Sequence, residues 1–478
     1  MAATFFFYDL ETSGISPREA RIMQFAGQRT DMDLKPVGEP VNIHIKLTPD
    51  VVPEPDAILL TGITPQQTIA DGITEAEFLK FFYEEVVKSG TIFLGYNTIR
   101  FDDEFMRFLH YRNFYDPYEW HWSNDCSRWD LLDVVRMTRA LRPEGIEWPF
   151  ASDGKPTNRL EYLTKVNKLD HKNAHDALAD VNATIAVAKL IKAKQPRLFE
   201  HLLEMRDKRK VEHIVKAAEP FTYASGRYPS DVLHTTAAVF LADSEGGALV
   251  YDLRHDPKPF LQMNVDELAE AMRWSKDPEK LRLPVKALKY NHCPAIAPGV
   301  VKDQATLERL RLNLDDIITN LRLLRANESF ARKVAEADAR LKEERRTQTG
   351  LVDDELTVDT RLYDGFFDNK DKAAMREVRA AAPEELGELA GHFTDQRLKS
   401  LLPLYKARNF PAALTSEERA GWDSFCQRRL MEGAQSGRLG QYFKRLQELA
   451  ASPRLSEKQR YLLEELQLYG ESIVPAEL

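Results

Sequence analysis

Two carboxylates, Asp9 and Glu11, stand at the end of the apolar run Phe5-Phe6-Phe7-Tyr8. Aromatic residues in such a run favour a strand, and in a strand positions i and i+2 point to the same face. Thr12-Ser13-Gly14 reads as a tight exit from it. Two acids side by side repel each other and tend to take up a proton, a conflict that a divalent cation removes. Pairs of this kind are common on solvated strand ends, so the pair alone does not define a site.

Two later segments add acids in a usable order. Ile92-Phe93-Leu94-Gly95-Tyr96-Asn97 reads as a buried strand and a polar turn, followed by a helix carrying Phe105 and Leu109. Asp102 falls near the start of that helix. Asp103 and Glu104 suit first-turn positions that offset the helix dipole. Further on, Asn173-Ala174-His175-Asp176 runs into an Ala-rich stretch that contains Asp180 and predicts a helix over about 176–194. In a regular helix His175 and Asp180 would lie about 140° apart. They share a site only if His175 lies in the first turn or in the loop before it.

In order and spacing these segments resemble the exonuclease superfamily with an Asp-Glu-Asp-Asp core and a catalytic histidine. Asp9 and Glu11 match its first motif, Asp102 its second, and His175 with Asp180 its third. Thr61-Gly62-Ile63-Thr64-Pro65 is similar to a loop often found between the first two. A longer set of stretches resembles the bacterial exodeoxyribonuclease I family. It includes Tyr111-Arg112-Asn113-Phe114-Tyr115-Asp116, Ser127-Arg128-Trp129-Asp130, Leu362-Tyr363-Asp364-Gly365-Phe366-Phe367 and Tyr405-Lys406-Ala407-Arg408-Asn409-Phe410-Pro411. The first motif has the general superfamily form and does not itself separate this chain from shorter relatives.

The resemblance implies a processive 3′→5′ exonuclease that degrades single-stranded DNA to 5′-mononucleotides in DNA repair and recombination. It implies two Mg²⁺ ions, with Mn²⁺ as substitute. Asp9, Glu11 and Asp180 would hold the first ion, Asp9 would bridge to the second with Asp102 contributing there, and His175 would be the general base. Glu11 and Arg159 are the expected substrate contacts. Arg159 could equally be a surface ion pair with Glu161. The implied fold is α/β: an RNase H-like exonuclease domain with a mixed sheet at 1–195, an SH3-like β-containing domain with flanking helices at 196–349, and a linker with an all-helical domain at 350–478.

Composition limits the alternatives. The chain has 478 residues, with 66 basic and 75 acidic side chains and a net charge of −9. Nucleic-acid affinity must then come from local basic patches and stacking rather than from net charge. Residues 196–350 are the most basic part, with 26 basic and 24 acidic residues. Three scattered cysteines suggest neither a disulfide framework nor a zinc site. No apolar run is long enough to span a membrane, and a cytoplasmic location is expected. The pattern Ala237–Ala242, Asp243-Ser244-Glu245-Gly246-Gly247, Ala248–Leu253 signals a β-hairpin. Residues 198–216 read as helical, and 347–359, with four acids and no helical period, as a linker.

Trp120, Trp122 and Trp129, with Arg112 and Arg128, could stack bases or simply pack in a core. An RNase or proofreading exonuclease of the same superfamily would normally be shorter. A non-catalytic strand-binding or scaffold protein would not need all five site residues. By resemblance a monomer is expected, and the acidic, Phe-ended tail of single-stranded DNA-binding protein is a partner. Arg142 is the position for that tail, with Arg322, Arg325 and Arg332 as a possible rim.

Overall fold

The structure, a computed structural model, describes residues 3–170, 176–277, 279–348, 355–431 and 437–474. The chain forms two compact units. The first gathers residues 1–127, 172–182 and 352–478, and the second gathers 128–171 and 183–351. The first and last parts of the sequence are therefore one packed body.

In the first unit, strand β1 (Thr4–Thr12) lies between β2 (Ile22–Thr30) and β4 (Thr91–Gly95), with β3 (Val41–His44) beyond β2. β1 is antiparallel to β2 and parallel to β4, so the sheet is mixed. Phe5, Phe6, Phe7 and Tyr8 are all buried, because β1 is covered on both faces. Phe6, Tyr8 and Leu10 share one face and pack with Phe25, Phe78, Phe82, Phe93 and Trp120. Asp9 and Glu11 therefore continue the other face, that of Phe5 and Phe7.

β1 pairs with β4 only from Thr4 to Phe7. Among the described residues the later part of β1 has no strand on that side, and this opens an edge at its carboxyl end. Gly95 ends β4 against β1, where any side chain would collide with the Tyr8 carbonyl and Thr98. Asn97 then turns with φ of 75°, a left-handed conformation that Asn tolerates. The helix Asp102–Arg112 starts beside the opened edge.

The C-terminal helices close over this body. Leu398, Leu401, Tyr405 and Phe425 pack on Phe108, Tyr111 and Phe114. Leu439, Tyr442 and Leu466 pack on Met23, Ile58 and Ile63. A buried ionic cluster joins the same parts. Asp359 accepts hydrogen bonds from Arg21 (2.8 Å), Arg408 (2.8 and 2.9 Å) and Arg429 (2.6 Å), and Arg408 also reaches Asp50 at 2.8 Å. Burial alone would raise the Asp359 carboxyl, but the three guanidiniums hold it well below the usual carboxylate range. Asp359 lies at the end of the stretch read from sequence as a linker. It is instead a fully buried residue of a short 3₁₀ turn, Glu355–Thr360. Its acidity marks a partner for arginines far away in sequence, not a solvated connection.

After the short strand β5 (Ser127–Asp130), the strands of the second unit are β6 (Phe221–Ala224), β7 (Thr235–Ser244), β8 (Gly247–Asp252), β9 (Val285–Lys289) and β10 (Ala295–Pro298). They form an antiparallel sheet in the order β10-β6-β7-β8-β9. The expected hairpin is β7–β8, tied between Ser244 and Gly247. Met205, Val211, Val215, Tyr228 and Ile296 are among the residues that fill its core. The stretch read as helical over 198–216 forms two helices, Pro196–Glu204 and Lys208–Lys216, with Asp207 capping the second. Among the described residues no helix is long and apolar enough to cross a membrane.

Asp359→Ala would leave three buried guanidiniums short of their shared acceptor. Breaking a buried pair from one side costs about 3–5 kcal/mol. Urea unfolding should show a loss of that order, and a loss near zero would mean that the cluster contributes nothing to holding the C-terminal helices.

Candidate active site

One carboxylate oxygen from each of Asp9, Glu11 and Asp180 lies within 4.8 Å of the other two. Asp9 and Glu11 come from the end of β1, and Asp180 from the first turn of the helix Ala177–Lys194. That turn is fixed by two side chains. Asp176 accepts from the Ala179 amide at 3.0 Å. Gln24, which stands opposite Glu11 on β2, accepts from the Ala177 amide at 3.5 Å and donates to Asn42 at 2.8 Å. Gln24 is 3% exposed. Sequence reading passed over it, since only the β1–β2 register shows that it supports the helix carrying Asp180.

Asp102 takes a different place. Its Oδ1 accepts the Leu10 amide at 3.1 Å, filling the edge of β1 where β4 has ended. It is buried, and its charge raises the Asp9 carboxyl. Asp103 lies in the first turn, as expected, but it is a buried acid. It is 1% exposed and accepts the Tyr8 hydroxyl, on the face of β1 opposite Asp9. Adjacent helix residues point about 100° apart, so one acid faces the strand end and the other the core. His175 lies outside the described residues.

Burial pushes the Asp9 carboxyl well above its usual range, aided by Asp102, Asp180 and Asp176. Burial, Asp9, Asp180 and Asp176 together push Glu11 up to about 9. Carboxylates so placed either hold protons or share a cation. An all-oxygen donor set fits a hard divalent ion such as Mg²⁺ or Mn²⁺.

An aromatic shelf flanks the helix that starts at Asp102. Tyr363 packs edge-on against Phe108 with ring centroids 5.7 Å apart, and its hydroxyl donates to Glu104. The Arg107 guanidinium lies 5.3 Å over the Tyr118 ring, and Phe366, 90% exposed, approaches Tyr118 at 6.3 Å. The tryptophans considered for base stacking divide otherwise. Trp120 and Trp129 are core residues, Trp129 donating to the Leu202 carbonyl, while Trp122 is exposed. Arg112 is buried against Glu75 at 2.7 Å, and Arg128 is buried with a bond to the Asn291 carbonyl.

In the second unit Arg159 is exposed and lies 3.8 Å from Glu161. Arg142, Arg322 and Arg332 are exposed too, and Arg325 pairs with Glu219 at 3.1 Å.

Comparison with known proteins agrees with this layout. A family model described as Exonuclease matches residues 6–188, Exonuclease I SH3-like domain matches 206–338, and Exonuclease I C-terminal domain matches 356–473. Exodeoxyribonuclease I of Escherichia coli (strain K12) is 41% identical over 427 residues, which is 88% of each chain. The chain belongs to the exodeoxyribonuclease I family. It is thus an exonuclease, built from an exonuclease domain with a mixed sheet, an SH3-like domain and a helical C-terminal domain. The exodeoxyribonuclease I of Haemophilus influenzae is 40% identical over 440 residues, covering 90% of this chain and 91% of its own. Among solved structures, exonuclease I from Methylocaldum szegediense superposes with a TM-score of 0.91 at 41% identity, covering 99% of this chain and 100% of its own. E. coli exonuclease I in complex with a dA16 oligonucleotide gives a TM-score of 0.91 at 39% identity, with the same coverage.

Two outcomes test this geometry. Asp102→Asn should abolish cleavage with little change in thermal stability. Asp103→Ala should cost about 1–3 kcal/mol, the scale of a lost buried hydrogen bond, yet leave turnover per folded molecule near wild type. Equal loss of activity in both would contradict the division of roles.

The second outcome concerns pH. Glu11 binds a proton in the folded state up to about 9 but releases it near 4.5 when exposed. The folded state therefore holds more protons between those values, and its stability falls as pH rises through that window. In EDTA the melting temperature should drop from about pH 6 to pH 9, and saturating Mg²⁺ should remove the drop. A flat profile in EDTA would contradict the crowding.

Proposed function

We propose that this chain degrades single-stranded DNA processively from the 3′ end, releasing 5′-mononucleotides, and acts in DNA repair and recombination. The observation that carries this reading is the convergence of Asp9, Glu11 and Asp180 at the carboxyl end of β1. The oligonucleotide complex of the E. coli relative supports the substrate class.

In this reading Asp9, Glu11 and Asp180 hold divalent ions, with Asp102 close by. Two bound ions would supply a deprotonated water and offset charge on the attacking and leaving oxygens. The zinc ion bound form of the E. coli exonuclease I–single-stranded DNA complex supports metal binding in the family, and Mg²⁺ is the ion proposed here. His175 accepts the proton of the attacking water, a task suited to an imidazole near neutral pH. Glu11 and Arg159 contact the substrate, Arg159 through phosphate. Phe366 and Tyr118 offer rings on which bases stack. Asp102 keeps the end of β1 in place through the Leu10 amide.

A solved structure of an SSB/exonuclease I assembly with the inhibitor CFAM, at a TM-score of 0.89, supports the proposed partner. Arg142, with Arg322, Arg325 and Arg332, would receive that partner's acidic tail. The enzyme is proposed to act as a cytoplasmic monomer with domains bounded near residues 195 and 350.

The test uses 5′-labelled single-stranded DNA and RNA, with Mg²⁺ or with EDTA. Mononucleotide release from the 3′ end of DNA, abolished by EDTA and by Asp180→Ala, is expected. His175→Ala should slow turnover by about 10²–10⁴ while metal binding persists. Near-wild-type cleavage by Asp180→Ala in saturating Mg²⁺ would overturn the assignment.

A further inference from the structure

Arg159, the proposed phosphate contact, stands just after a short β-hairpin that runs from Pro149 to Thr157. Phe150 bridges Pro156, and the Ala151 amide donates to the Lys155 carbonyl at 2.8 Å. At the base the Thr157 amide donates to the Pro149 carbonyl at 3.3 Å. Gly154 takes a left-handed position in the turn, with φ of 78°. The hairpin belongs to neither sheet, and Ser152, Asp153, Gly154 and Lys155 are exposed. A two-stranded hairpin standing alone is marginally stable in water. What fixes this one must act at its base.

Arg139 acts there. It comes from the last turn of the helix Leu131–Leu141 and is 3% exposed. Its guanidinium donates to the Pro149 carbonyl at 2.9 Å, to the Thr157 carbonyl at 2.6 Å and to Asn158 Oδ1 at 3.2 Å. Both ends of the hairpin and the residue after it thus share one planar donor group. The same guanidinium lies 5.6 Å from the centre of the Trp148 ring and 5.1 Å from that of Phe150. These partners all lie in the segment 148–158, which leads directly into Arg159.

The constraint passes to Arg159 along the backbone. The Arg159 amide donates to Thr157 Oγ1 at 3.4 Å, and its carbonyl accepts the Leu163 amide at 3.0 Å as the helix Leu160–Val166 begins. The far end of that helix is tied to the same segment. Asn167 accepts the Glu147 amide at 2.9 Å and donates to the Glu147 carbonyl at 2.8 Å. The backbone of Arg159 is therefore held before and after, while its side chain remains 72% exposed. A group whose backbone is set in advance loses less freedom when it binds.

We infer that Arg139 is a positioning residue for substrate binding: it clamps the hairpin base and Asn158, and so fixes the backbone from which Arg159 reaches a phosphate. The inference rests on the proposed phosphate contact of Arg159 and names the residue that aims it. Arg139 itself is buried beneath the hairpin and touches no strand.

The test is steady-state cleavage of labelled single-stranded DNA in Mg²⁺ by wild type, R139A, R139K, R159A and R139A/R159A. R139A should raise KM about tenfold, the scale of one lost charge-assisted hydrogen bond, with kcat within about twofold of wild type. A purely stabilising role would lower the melting temperature and leave KM unchanged. Lysine keeps the charge but not the planar fork, so R139K should raise KM too, and it decides the matter if R139A does not fold. Because both residues act through one contact, R139A should add less than about twofold to KM in the R159A background. A raised KM in R159A beside a wild-type KM in folded R139A or R139K overturns the inference alone, as does a full tenfold addition in the double variant. A wild-type KM in R159A overturns the phosphate contact, and the inference with it.

Discussion

Mutual repulsion among Asp9, Glu11 and Asp180 is the constraint against which the first unit has to be built. Three carboxyl groups within 4.8 Å would drift apart on flexible elements. Here each is fixed from behind. Asp9 and Glu11 project from β1, which is held on one side along its length by β2 and on the other by β4 as far as Phe7. Asp180 is fixed by Gln24 and Asp176 at its helix start. Burial first, and then the enforced closeness of the neighbouring acids, raise the carboxyls of Asp9 and Glu11, since groups unable to separate must protonate or bind a cation.

Rigidity at the strand end draws on the far end of the sequence. The Asp102 helix is packed by Tyr405 and Phe425, and the loop after β1 is tied through Arg21 to Asp359 and so to Arg408 and Arg429. A buried ionic cluster is a poor source of net stability but sets strict geometry, because each charge must find its partner. The C-terminal helices thus act as part of the catalytic body rather than as an appended module.

Some of this was legible in the sequence because it depends on local pattern. The run Phe5–Tyr8 with acids at i and i+2 gave the strand and its face, and Asp243–Gly247 between apolar runs gave the hairpin. What could not be read depends on contacts between distant residues. Asp103 looks like Asp102 in sequence, and only the packing of Tyr8 beneath it shows that it belongs to the core. Asp359 looked like a linker acid because its three arginines, Arg408, Arg429 and Arg21, are 49, 70 and 338 positions away, which no local period records. Gln24 had no signal until β1 and β2 were set in register. Trp120 and Trp129 carried the composition of a binding surface yet serve the core, while Phe366 and Trp274 lie exposed.

An acidic protein that handles an acidic polymer needs its own negative charge answered where the two meet, and the crowded carboxylates make that need greatest at the end of β1. The most direct measurement is therefore the number of protons released when Mg²⁺ binds. Calorimetric titration of the metal-free protein near neutral pH, in two buffers of different ionisation enthalpy, gives that number. With Glu11 raised to about 9 and Asp9 raised beside it, binding should release about one proton or more per protein, and Asp9→Ala should abolish the release. Metal binding with no proton release in the intact protein would contradict the account.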